Sequence, residues 1–136
     1  MMEETHTILI ADRNAHVRKF LMREMMKEGY RIMLAGTGEN VLRIAYSPGA
    51  IDLLILDPDL PGMEASSLLK ALNERLPALP VVLHAHRKYS DDEFFMEENV
   101  ALTVIEKEGD SVERIKEAVG KLLQASAPDV LDGSRA

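Results

Sequence analysis

The apolar run Leu53-Leu54-Ile55-Leu56 stops at two acids, Asp57 and Asp59, and then turns through Leu60-Pro61-Gly62-Met63. A carboxylate at the mouth of a buried strand is either a solvated turn residue or a reactive group, because carboxylates serve both as nucleophiles and as ligands for hard cations. What stands beside it decides. Asp12 follows another apolar run, Thr7-Ile8-Leu9-Ile10-Ala11. Lys107 comes just after a third, Ala101 to Ile105, and Ala85 ends a fourth, Val81-Val82-Leu83-His84. If these runs are parallel strands of one sheet, ligands belong outside their carboxyl ends, and two acids and a lysine converge there.

The elements needed for that arrangement can be read along the chain. After the first strand, Val17, Phe20, Leu21 and Met25 recur at helical spacing, and Gly29 closes the helix. Arg31 to Ala35 is a second strand, Gly36-Thr37-Gly38 a turn, and Glu39 to Tyr46 a short helix with Val41, Leu42 and Ala45 on one face. Ser47-Pro48-Gly49 ends it. The third strand is Ile51 to Leu56. Met63 to Leu76 then carries Leu68, Leu69, Leu72 and Leu76 as an apolar stripe before Pro77. Ser90 and Glu93 have capping-box spacing at the start of a polar helix, as do Asp110 and Glu113 at the start of the last one, whose stripe is Val112, Ile115, Val119, Leu122 and Leu123. Five strands alternating with five helical patterns predict an α/β fold with a doubly wound parallel sheet, because parallel strands need a crossover between them.

Composition bounds the function. At 136 residues and 46% hydrophobic content, one domain is expected over residues 5–125, with a poorly ordered polar tail over 126–136. The absence of cysteine removes disulfides and thiolate chemistry and suits a cytoplasmic protein. A net charge of −7 and 4% aromatic content argue against direct binding to nucleic acid or to an anionic membrane surface. There is neither a signal-peptide pattern nor an apolar stretch of about 18 residues.

The stretches ILIADRN, LLILDPDLPGM, VVLHAH and VIEKEGD, spanning roughly Thr7 to Leu123, resemble the receiver domain of two-component response regulators, typified by CheY. That resemblance implies a flavodoxin-like, CheY-like sheet in the order 2-1-3-4-5 with five helices. It also implies phosphorylation of Asp57 by a histidine kinase or phosphotransfer protein, with Lys107 as counter-charge. Asp12, Asp57 and the Asp59 backbone carbonyl would hold Mg²⁺. Such a chain is a phosphorelay signalling protein, not an enzyme in its own right. A carboxylate that attacks a phosphoryl group must overcome charge repulsion, which is why cations are gathered there.

The chain departs from the family pattern at several positions. Arg13 stands where a second metal-binding acid is usual, and a guanidinium has no lone pair to offer. It either points away, leaving Asn14 or water to fill in, or folds inward to pair with Asp12 and Asp57; in both cases Mg²⁺ binding is weakened or absent. Ala85 replaces the family's Ser or Thr, with His84 pointing elsewhere and His86 at the rim as a candidate to donate a hydrogen bond to the phosphoryl group. Val104 replaces the frequent aromatic residue of the fifth strand, and Asp59 with Arg87 could form a partial lid.

The competing reading is a degenerate receiver that acts as a phosphorylation-independent interaction module. The DPD sequence also looks like the motif of haloacid dehalogenase-type phosphohydrolases, but that motif normally sits on the first strand, in a longer chain. No effector is visible in the residues after the last helix, and output is expected by docking to another protein. In the family the surface of helix four, strand five and helix five commonly serves for partner binding or homodimerisation, and Phe94, Phe95 and Met96 cannot all face inward on one helix.

Overall fold

The computed structural model describes residues 5–49, 51–86 and 102–125. Its elements are β1 (Thr7–Ala11), α1 (Ala15–Lys27), β2 (Arg31–Ala35), α2 (Gly38–Ala45), β3 (Leu53–Leu56), α3 (Ala65–Asn73), β4 (Val81–Ala85), β5 (Leu102–Glu106) and α4 (Ser111–Ala125). The strands form one parallel sheet in the order β2-β1-β3-β4-β5. This is the expected flavodoxin-like, CheY-like topology. Of the five expected helices, four lie among the described residues. The one placed at Ser90, with Phe94, Phe95 and Met96, falls outside them, as does Arg87.

Each face of the sheet is sealed by its own core, which follows from the alternation of strand side chains. Leu9, Ala11, Leu54, Leu56, Leu83 and Ala85 pack with Val41 and Ile44 of α2 and with Leu68 and Leu72 of α3. Ile8, Ile10, Leu53, Ile55, Val82 and Ile105 pack with Leu21 and Met25 of α1 and with Ile115, Val119 and Leu123 of α4. All four β3 residues are buried, as an unbroken apolar run requires of a central strand.

Two expected core residues lie elsewhere. Leu76 is 90% exposed, because α3 stops at Asn73 and Pro77 disfavours a helical residue before it. Phe20 is 44% exposed, since Leu21 and Met25 take the inward face of α1. Asn14 caps α1, its Oδ1 accepting from the His16 and Val17 amides, and Gly29 (φ 95°) follows the helix in the left-handed region that glycine adopts without strain.

Candidate functional site

The site is built where three strands end together. Ala11 of β1 pairs with Leu56 of β3, so Asp12 and Asp57 leave the sheet side by side; the Asp57 amide donates to the Ala11 carbonyl at 2.9 Å. Ala85 of β4 pairs with Glu106 of β5, and the Lys107 amide donates to the Ala85 carbonyl at 2.8 Å. The alternation that sends Ile10, Ile55 and Ile105 toward α1 and α4 continues through Asp12, Asp57 and Lys107, so the three charged side chains meet.

Asp12 and Asp57 are 2% and 1% exposed. Buried carboxylates need counter-charges and donors, and both have them. Lys107 Nζ lies 3.3 Å from Asp12 Oδ2 and 3.6 Å from Asp57 Oδ1. The Asn14 amide donates to Asp12 Oδ1 at 2.9 Å, and the Asp59 amide to Asp57 Oδ1 at 2.9 Å. Burial, joined by the charge of Asp57, holds the Asp12 carboxyl above its ordinary range, while the Asn14 amide and Lys107 pull it down. The Asp12 carbonyl in turn accepts from the Arg18 guanidinium on α1, a brace without any local pattern to announce it in the sequence.

Arg13 folds inward. Its backbone amide donates to Asp57 Oδ2 at 3.2 Å, its Nε lies 3.6 Å from the same oxygen, and one terminal nitrogen lies 3.6 Å from Asp59 Oδ2. Of the two placements left open by the sequence it takes the inward one, but it ties Asp57 to Asp59 rather than to Asp12. Asn14 does not fill in toward a metal, because its side-chain oxygen is occupied as the α1 cap.

This donor set does not fit a dedicated Mg²⁺ site. Mg²⁺ asks for oxygen ligands in near-octahedral array. Here every oxygen of Asp12 and Asp57 faces a nitrogen donor or cation of the protein, and the position of a further carboxylate holds a guanidinium. Among the described residues, no three His, Asp or Glu side chains are grouped as a metal site.

Ala85 is buried in the core shared with α2 and α3, and Val104 packs against that core. A hydroxyl is missing at the first position and an aromatic ring at the second. His84 points to the opposite face: 6% exposed, it shares a 3.0 Å hydrogen bond through Nε2 with Ser111 at the start of α4, and its Nδ1 has no partner among the described residues. Burial, reinforced by Lys107, pushes it down to about 4. His86 is exposed at the rim. The turn after Asp59 is fixed from α2, where the Gly38 amide donates to the Pro61 carbonyl at 2.9 Å.

Comparison with known proteins agrees with this architecture. The chain is 32% identical over 77 residues to the DNA-binding transcriptional regulator NtrC of Bradyrhizobium sp., covering 57% of this chain and 16% of that protein. It is 30% identical over 78 residues to the CAI-1 autoinducer sensor kinase/phosphatase CqsS of Vibrio cholerae, covering 55% and 11%. The chain thus spans less than a fifth of the length of these curated relatives. Among solved structures, the response regulator protein TrrA of Thermotoga maritima, in complex with Mg²⁺ and BeF, superposes with a TM-score of 0.74 at 27% identity, over 87% of this chain and 99% of that one. The profile of the response regulator receiver domain matches residues 8–131. Because that match runs from the first strand past the last helix, the chain belongs to the response regulator receiver domain family of two-component systems.

Proposed function

We propose that Asp57 accepts a phosphoryl group from a histidine kinase or phosphotransfer protein, in the cytoplasm, and that the resulting change at the rim is passed to a docking partner. One observation carries this reading: a fully buried Asp57 carboxylate lies at the carboxyl edge of a parallel sheet with Lys107 within 3.6 Å. An Asp57 oxygen attacks phosphorus as the P–N bond of the donor phosphohistidine breaks and the imidazole nitrogen keeps the electron pair. Lys107 neutralises the oxygens that gather charge. The chain is a substrate and carrier of the phosphoryl group rather than an independent enzyme. Magnesium, implied by the family, is held weakly or not at all by this pocket, for the reason given by Arg13.

The second reading is an interaction module that no longer needs phosphorylation. It is favoured by Ala85 and Val104, which supply neither the hydroxyl nor the ring through which a phosphoryl group would reach the surface. Incubation with phosphoramidate, with and without Mg²⁺, followed by intact-mass measurement separates the two. The phosphotransfer reading predicts one phosphoryl adduct that Asp57→Ala abolishes. Absence of any adduct, with partner capture indifferent to Asp57→Asn, supports the interaction module instead.

A further inference from the structure

The geometry points to Arg13 as a built-in cation that takes the place of a divalent metal, so that this pocket accepts a phosphoryl group without Mg²⁺. The inference rests on Asp57 being the acceptor, and it says which charge assists it.

Two buried acids, Asp12 and Asp57, stand side by side here, and an incoming phosphoryl group adds more negative charge. Against that pair, Lys107 alone leaves a net negative charge. Arg13 changes the balance: it contacts Asp57 through both its backbone amide and its side chain, and reaches Asp59 with its far end. Its guanidinium thus spans the nucleophile and the next acid, on the opposite Asp57 oxygen from the one that faces Lys107. The carboxylate lies between two cations.

A guanidinium suits this role because it stays charged and offers several N–H donors in one plane, a geometry that matches phosphoryl as well as carboxylate oxygens. It is also 46% exposed, with ion-pair contacts of 3.6 Å rather than short hydrogen bonds, so its side chain is held loosely enough to turn from Asp57 onto an arriving phosphoryl oxygen. The same placement disfavours a metal electrostatically, since a divalent cation would have to sit beside a fixed positive charge and displace it from Asp57 Oδ2.

With phosphoramidate as donor, already protonated on nitrogen, the bond from Asp57 Oδ to phosphorus forms, the P–N bond breaks, and the nitrogen keeps the electron pair and leaves as neutral ammonia. Nothing in that balance requires a metal.

The test compares the wild-type chain, Arg13→Ala and Arg13→Asp, each with EDTA and with Mg²⁺, reading adduct formation by intact mass and Mg²⁺ binding by calorimetry. The wild type is expected to form adduct at rates within about twofold in the two conditions and to show no Mg²⁺ binding heat. Arg13→Ala should lose about tenfold or more in EDTA, in keeping with removal of a transition-state charge. Arg13→Asp should bind Mg²⁺ and react only with it. If wild-type adduct forms only with Mg²⁺, or if Arg13→Ala matches the wild type in EDTA, the inference is overturned while Asp57 stands as acceptor. If no variant forms adduct in either condition, the acceptor reading itself fails and takes the inference with it.

Discussion

His84 is a buried histidine beneath a charged rim, and burial sets its behaviour with pH. Burial first, then Lys107, hold it down to about 4 from an ordinary value of 6.5. Between pH 6.5 and 4 the unfolded chain therefore binds a proton that the folded chain refuses, so stability falls as pH falls. By pH 5 the loss amounts to about 2 kcal/mol. Asp12, whose carboxyl is raised, acts with the opposite sign: its folded form favours protonation, so its contribution falls as pH rises. Urea denaturation at pH 7 and pH 5 should show the wild-type midpoint dropping, and His84→Leu should flatten that drop. An unchanged slope in the variant would mean that His84 titrates normally. Asp12, Asp57 and Lys107 were legible at this scale because each directly follows, or nearly follows, an apolar run. The inward turn of Arg13 was not, since a long side chain on a rim has both choices open and only the placement of Asp57 and Asp59 decides between them.

At the scale of elements, the turn that carries Asp59 is shaped by α2 as much as by its own residues. A Cβ on Gly38 would stand 2.9 Å from the Cβ of Met63, and Gly62 sits at φ 99° with the Glu39 carboxylate against the place where its Cβ would be. Gly29 has a similar φ of 95° with nothing within 4 Å. Both glycines avoid backbone strain, but Gly62 also avoids a clash. Thermal melts should therefore show Gly62→Ala costing more than Gly29→Ala, the former on the order of 1–3 kcal/mol. Equal costs would mean that Glu39 swings away freely. In the sequence, Pro61-Gly62 was readable as a turn and Gly36-Thr37-Gly38 as another, but their contact was not, because a close approach between residues far apart in the chain leaves no local pattern. Leu76 shows the converse: its spacing fits the α3 stripe, yet the helix ends before it and leaves it exposed.

For the whole molecule, the strand alternation and the unbroken β3 run made the doubly wound sheet readable, and the family resemblance supplied its order, since neither periodicity nor spacing says which strands are neighbours. Other features had no sequence signal. Arg75 is buried at the edge of the sheet away from Asp57, where its guanidinium donates to the carbonyls of Ala45, Ile51 and Pro77 and ties the end of α2 to the approaches of β3 and β4. No helix among the described residues is long and apolar enough to cross a membrane. The fold thus brings Asp12, Asp57 and Lys107 to one rim, where signalling turns on the reactivity of a single carboxylate. The most direct test is to treat the wild-type chain with phosphoramidate, reduce it with borohydride, and sequence its peptides by mass spectrometry. An acyl phosphate at Asp57 should be recovered as homoserine at position 57 and nowhere else. Homoserine at Asp12 or Asp59, or at no position despite a phosphoryl adduct on the intact chain, would contradict Asp57 as the phosphoacceptor.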